Sequence, residues 1–446
     1  LVLATVLLAV WANLHAGWIQ GMLALGAFAG ATTIISIRWR AGLVRGAHPP
    51  SSARALWAAW ASALALSVGT LAIFNPVGPR VLMIPFTMAR SDFFRTRVTE
   101  FLPLPADNFH AVWALLLLTS GAILIAAARR RARLDDTLVF VVFAWSALQV
   151  NRQMLPLSVI APAILASHAR PLLDDLAARQ LPRRLGRLAA PALLVAMALV
   201  AWSGFVQGDR FRFGFGIDTR STPVGAFRFI ADNELPGEVW NEDAWGGAFL
   251  WRFWPERRNF VDNRLDVFDE AFFRDVYLPV RDGREDWEDI LARYGVRTLL
   301  MEITEKPIGI QALAFRSPDW ALVYWDDISM IYVRRDAARG ALLGRFEYRT
   351  VNPNDLMASL VHGAALPDAI AELERAAGST GSWRSLNGLG VAYGMAGRYA
   401  DAAAAFRRTL ALHPGSDSAR ANLEIAERRL AERAASKAVR RSEKGS

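Results

Sequence analysis

The sequence predicts a mostly α-helical chain: polytopic transmembrane helices, then a small extracytoplasmic α/β domain, then a tetratricopeptide helical module. Three observations predict it. Residues 1–207 are apolar and basic, with 18 Arg against 7 acids, whereas the remainder carries 33 basic and 35 acidic residues. Long uncharged runs recur through that first half. A helical repeat signature stands near the C-terminus. Of the 446 residues 53% are hydrophobic and 21% charged, which argues against a wholly soluble or a disordered chain. The chain has no Cys, so disulfides, thiolate metal ligands and Cys nucleophiles are excluded. A basic half that is also apolar is not a nucleic-acid footprint, and no nucleic-acid partner is expected.

A membrane helix needs about 20 apolar residues. Leu1 to Ile37 contains no charged residue and is interrupted by Asn13-Leu14-His15-Ala16-Gly17, which predicts two helices joined by a polar turn. Leu1 lies inside an apolar run, so an N-terminus further upstream is expected. Ala55 to Pro79 is the next run and ends in the breaker Asn75-Pro76-Val77-Gly78-Pro79. Asn108 to Ala128 follows, then Thr137 to Asn151 and Gln153 to Ala169 separated by Arg152, then Leu188 to Gly208. About seven helices or part-helices are expected over 1–207. A single helix over 137–169 would bury Arg152 at mid-bilayer, at about 2.5–3.5 kcal/mol. Arg-rich loops favour the cytoplasm. That rule puts Arg38, Arg40, Arg45 and Arg54 inside, with the clusters at 129–133 and 170–187. The turn at 13–17, the loop 75–107, Arg152 and everything after 208 are then outside. The expected location is the bacterial inner membrane, multi-pass, with the C-terminal half extracytoplasmic.

The soluble half shows mixed periodicity over 218–336. Helices are expected over 223–233, 270–281 and 286–294, and strands over 238–241, 258–262, 296–303, 320–325 and 328–334. Asp326-Asp327 joins the last two as a hairpin. Residues 352–435 are all-helical. Leu386, Leu389, Gly390, Tyr393, Ala402, Phe406 and Pro414 match the tetratricopeptide pattern except at its Trp. Small Gly390 and Ala402 let paired helices approach, and Tyr393 and Phe406 fill the space between them. Leu356, Leu360, Ala369 and Leu373 repeat the pattern 33 positions earlier. A capping helix is expected over 418–435 and a disordered basic tail over 436–446.

The six His are scattered, without ligand spacing, so no metal site is expected, and no nucleotide or hydrolase motif is present. Asn13 and His15 end a membrane helix, where polar residues are functional suspects. Arg80 and Arg152 share that face, and guanidinium matches phosphate bidentately. Asp262, Arg264 and Asp266 alternate past an expected strand end, where α/β sheets hold ligands. A structural Asp–Arg–Asp network is the alternative there.

Several segments together carry a resemblance. They are W-A-N-L-H-A-G (11–17), F-N-P-V-G-P-R (74–80), V-N-R-Q-M-L-P (150–156), N-E-D-A-W-G-G-A-F-L (241–250), P-E-R-R-N-F-V-D-N-R-L-D-V-F (255–268) and W-A-L-V-Y-W-D-D-I-S-M-I-Y-V-R-R (320–335). Over about residues 1–335 the chain resembles multi-pass bacterial membrane proteins of the GT-C glycosyltransferase superfamily, of mannosyltransferase-like type. Ala16 stands where that family usually has a second Gly, and Gln153 where a His commonly follows the Arg. The resemblance implies transfer of a sugar from a polyprenyl-phosphate donor on the outer face, with a divalent metal an option in the complete enzyme. It places substrate binding on Asn13, His15, Arg80 and Arg152, and more weakly on Asp262 and Arg264. Inverting transfer needs a carboxylate base. The family's base lies in a first outer loop expected upstream of Leu1, which leaves Glu100, with Asp92 and Asp107, as the base candidates here. The alternative class is a non-enzymatic, membrane-anchored tetratricopeptide scaffold that holds a protein or peptide partner in its groove. Membrane lipid is an expected partner in either case.

Overall fold

The computed structural model describes residues 1–15, 17–43, 52–75, 77–98, 101–103, 109–128, 134–178, 195, 216–264, 268–363 and 365–444. They divide into two compact units, Leu1–Gly214 and Phe215–Ser446. The chain is mostly helical, with one small mixed sheet.

The first unit contains α1 (Val2–Leu14), α2 (Trp18–Arg40) and α3 (Ala53–Phe74). A 3₁₀ turn at Gly78–Met83 and short helices α4 (Ile84–Arg90) and α5 (Asp92–Arg97) follow. Then come α6 (Phe109–Ala128), α7 (Leu134–Gln149) and α8 (Met154–Ala178). Ala- and Leu-rich sequence forms the long helices among these. Ser52 caps α3 by accepting from Ala55 N–H, and Asn75 closes it by accepting from Val77 N–H at 2.9 Å. Leu8, Ala12, Trp18, Met22, Ala63 and Leu71 pack α1, α2 and α3 together. Phe140, Phe143, Ala147, Leu157 and Ala161 join α7 to α8. Outward faces carry exposed Leu3, Ile73, Leu115, Trp145, Leu155 and Val159. Among the described residues two helices, Trp18–Arg40 and Ala53–Phe74, are long and apolar enough to cross a membrane. The run over 137–169 is two helices, with Arg152 in a 3₁₀ turn at Asn151–Gln153. The expected span at 188–208 and the linker after it lie outside the described residues, apart from a helical Val195.

The second unit begins with α9 (Val224–Asp232), β1 (Glu238–Asn241) and α10 (Asp243–Phe253). After α11 (Glu270–Phe272), a wide helical turn over Phe273–Tyr277 leads into α12 (Leu278–Arg281) and then α13 (Trp287–Arg293). β2 (Val296–Glu302), α14 (Ile310–Leu313), β3 (Trp320–Trp325), β4 (Ser329–Arg334) and α15 (Gly340–Phe346) follow. The sheet order is β1-β2-β4-β3, with β1 parallel to β2 and the other pairs antiparallel. α9 and α10 cover one face, burying Phe227, Phe249 and Phe253 against Leu300, Val323 and Val333. The other face stacks Trp240 on Tyr277 and Trp320 on α13's Trp287, with centroids 5.7 and 6.1 Å apart.

Residues 258–262 are not the strand their sequence suggests. Their backbone is held by a side chain instead: Phe260 N–H donates to Asn241 Oδ1, and Val261 C=O accepts from Asn241 Nδ2, both at 2.8 Å. The helix expected over 270–281 is broken by the wide turn at 273–277.

The repeat region comprises α16 (Leu356–Ala358), α17 (Leu366–Thr380), α18 (Trp383–Met395), α19 (Tyr399–Leu412) and α20 (Asp417–Lys444). α20 continues well past Ser436, where a disordered tail is expected. In α18, a Cβ on Gly390 would lie 2.6–2.8 Å from the Phe406 ring, so this glycine is the seat of that ring. Ala402, Phe406, Leu389 and Leu373 are buried, and the Tyr393 hydroxyl donates to Glu374 at 2.6 Å.

The repeats and the α/β domain both lie within Phe215–Ser446. Glu372 of α17 accepts from the backbone N–H groups of Arg349, Thr350 and Val351 at 2.8–3.2 Å. Asp327 of the β3–β4 turn accepts from Ser382 Oγ at 2.5 Å and Arg384 N–H at 3.2 Å, which caps α18.

Gly390→Ala is expected to destabilise the chain by about 1–3 kcal/mol, through overpacking against Phe406. Gly394→Ala, on the same helix with open space at its Cβ, is expected to be neutral or stabilising by about 0.5–1 kcal/mol. Denaturant melts of both variants check this, and equal losses would contradict the ring seat.

Candidate functional site

α1 stops at Leu14, and the backbone N–H of His15 still donates to Trp11 C=O at 2.9 Å. The His15 ring folds back, so that Nδ1 accepts from Gly17 N–H at 2.8 Å. A Cβ on Gly17 would lie 2.8 Å from that nitrogen, and only glycine leaves the ring its place. His15 Nε2 lies 3.1 Å from Nη2 of Arg152, and which ring nitrogen donates depends on the tautomer. The two side chains thus meet across 137 residues of sequence.

Neighbouring groups fix this pair. Asn151 N–H donates to Leu102 C=O at 2.9 Å, which ties segment 101–103 to the turn holding Arg152. Asn13 donates to Thr70 Oγ1 at 2.8 Å and to Ala9 C=O at 3.0 Å, and so pins the end of α1 to α3. The amide oxygens of Asn13 and Gln153 are buried without a protein donor. Arg80 is exposed on a turn whose Val81 and Leu82 pack on the α1–α3 cluster, and it forms no ion pair among the described residues. Of the four residues singled out here, the structure brings His15 and Arg152 into contact and gives Asn13 a bracing role. Asp92 pairs with Arg95 on the surface at 3.3 Å. Glu100, Asp107 and Asp266 lie outside the described residues.

In the second unit Asp262 is buried and saturated. It accepts from Asn259 at 2.8 Å, and from Arg264 through its N–H at 2.9 Å, Nε at 3.0 Å and Nη2 at 2.7 Å. Burial pushes its carboxyl up. The Arg264 and Asn259 bonds outweigh that and hold it below the usual range. Gly246 of α10 lies against the backbone of Val261 and Asp262, where a Cβ would clash. The segments N-E-D-A-W-G-G and N-F-V-D-N-R are therefore two halves of one lock at the carboxyl end of β1. Asp262 and Arg264 pair there at 2.7 Å.

Sequence reasoning missed Glu242. It follows β1 directly, beside Glu302 at the end of the parallel strand β2, in the position where α/β sheets hold ligands. Burial pushes its carboxyl up to about 7, and the Asp243 and Glu302 charges add to this against bonds from Glu302 N–H and Gln311. Burial also raises Glu302, with Asp243 adding. A carboxyl poised near neutrality can give or take a proton. An acid after each of two parallel strands was the available signal. Among the described residues no group of three or more His, Asp or Glu is arranged to hold a metal ion.

No protein-family model matches the chain, and no curated protein matches it.

The raised Glu242 carboxyl sets a pH dependence. The folded state keeps this proton between about 4.5 and 7, where the unfolded chain releases it. The associated stability is complete below about 4.5 and is lost as pH rises through 7. Glu242→Gln is expected to flatten that decline by up to about 3 kcal/mol. Unfolding free energies at pH 5 and pH 8 test it, and an unchanged slope would contradict the assignment.

Proposed function

We propose that the chain is a multi-pass bacterial inner-membrane protein of glycosyltransferase type, which holds a polyprenyl-phosphate-linked sugar at the outer face. The observation that carries this reading is the convergence of His15 Nε2 and Arg152 at the helix ends. Membrane embedding is supported by the two helices of spanning length and by the exposed apolar faces of α1, α3, α6, α7 and α8. The Asn13–Thr70 and His15–Arg152 contacts put the ends of α1, α3 and α7 at one level. Arg38 and Arg40 close α2 at the opposite end. The positive-inside bias assigns that end to the cytoplasm and the His15–Arg152 end to the outside.

In this reading the donor phosphate accepts from both side chains. As the glycosidic bond breaks, charge grows on that phosphate, and donors already fixed in place stabilise it without rearrangement. The reading gives the chain donor binding and leaving-group stabilisation, and it assigns no base. The second reading, a membrane-anchored scaffold, draws support from the repeat hairpin seated on Gly390 and Phe406.

Hydrogen bonds to a charged group contribute about 1.5–3 kcal/mol. Arg152→Gln and His15→Phe are each expected to weaken polyprenyl-phosphate binding by about 10- to 100-fold, whereas Arg334→Gln in the sheet leaves it unchanged. Titration of the purified chain with the lipid, read by native mass spectrometry, decides. Equal affinity for parent and all three variants would overturn the donor site and leave the scaffold reading.

A further inference from the structure

A second feature stands apart from the helix-end site. α9 and α10 enclose a cleft of about 470 Å³ lined by Val224, Phe227, Ala248, Arg228, Arg252 and Trp251. Phe227 is buried, whereas Arg228 and Arg252 are exposed. Trp251 is 87% exposed and Trp254 63%. Neither arginine forms an ion pair among the described residues, and Arg252 lies over the Phe253 ring at 5.4 Å. Neighbouring Arg257 donates to Leu235 and Gly237 C=O. Indole beside guanidinium over an apolar floor is the composition of a membrane interface, where amphipathic rings sit at headgroup depth and cations meet phosphate.

Ile217 also lines this cleft, where the chain enters the second unit. It comes nine residues after Gly208, the end of the last apolar run of the sequence. Nine residues reach about 30 Å at full extension, so if 188–208 spans the membrane, as the sequence leads one to expect, the cleft is within reach of the bilayer.

We propose that this face docks on an anionic phospholipid surface, with Trp251 and Trp254 at headgroup depth and Arg228 and Arg252 on lipid phosphates. The proposal rests on the membrane reading of residues 1–207 and not on glycosyl transfer. Docking would hold the α/β sheet at a fixed height over the membrane.

The absence of Cys makes a single introduced thiol a unique reporter. Gly247 is exposed, has open space at its Cβ and lies one turn from Trp251 on α10. Gly247→Cys, spin-labelled in the full chain and reconstituted into phosphatidylglycerol-containing nanodiscs, should be more accessible to oxygen than to an aqueous nickel chelate. Asp289→Cys, on α13 across the sheet, should stay aqueous. Adding Arg228→Gln and Arg252→Gln should return the 247 label to water without changing the melting curve. A 247 label as water-exposed in the nanodisc as in detergent overturns the docking alone. Equal immersion in neutral phosphatidylcholine discs overturns the role of the arginines. A chain that does not enter nanodiscs overturns the membrane reading with it.

Discussion

Every backbone N–H removed from water needs an acceptor, and that requirement organises both halves of this chain. In the first unit long apolar helices meet it internally. In the second unit side chains meet it where the ladder stops. Asn241 holds 260–261, Glu372 holds 349–351 and Asp326 holds the β3–β4 turn through Ile328 and Ser329. The functional consequence arises where a helix of the first unit ends. There Gly17 N–H donates to His15 Nδ1 at 2.8 Å. The ring is thereby held with Nε2 beside Arg152.

Comparable carboxylates in the second unit meet different fates because their partners differ. Asp262 and Glu347 are both buried, yet each is held below the usual range, since arginine bonds outweigh the burial. Glu242 has only a backbone N–H, an amide side chain and two like charges near it, and there burial wins. Asp262 with Arg264 is accordingly a lock, whereas Glu242 keeps a proton free to move near neutral pH. The two lie within one corner of the fold, and burial alone does not tell them apart.

Much of the fold was legible. The uncharged runs predict α1, α2, α3 and α6, and the position of Arg152 between two short runs predicts the break between α7 and α8. The β3–β4 hairpin follows from its Asp-Asp turn, and the α18–α19 pair from Gly390 and Phe406. The rest depends on contacts far apart in sequence. Residues 258–262 read as a strand because the pattern does not reveal that Asn241 takes their hydrogen bonds. The union of the repeats with the sheet rests on Glu372 and Asp327, two carboxylates among many. His15 and Arg152 each stood out as polar residues at a helix end, but their contact required coordinates. Glu242 stayed hidden because Glu302 and Gln311 shape its surroundings from some 60 or more residues away.

The central proposal is that His15 and Arg152 together hold a lipid-linked phosphate. Nitrogen-15 NMR of the imidazoles, with the His15 signal assigned by its loss in His15→Gln, reads this directly. The account predicts that the Nε2 resonance shifts as polyprenyl phosphate is added to the parent chain and not when it is added to Arg152→Gln. An Nε2 signal indifferent to the lipid in the parent chain would contradict it.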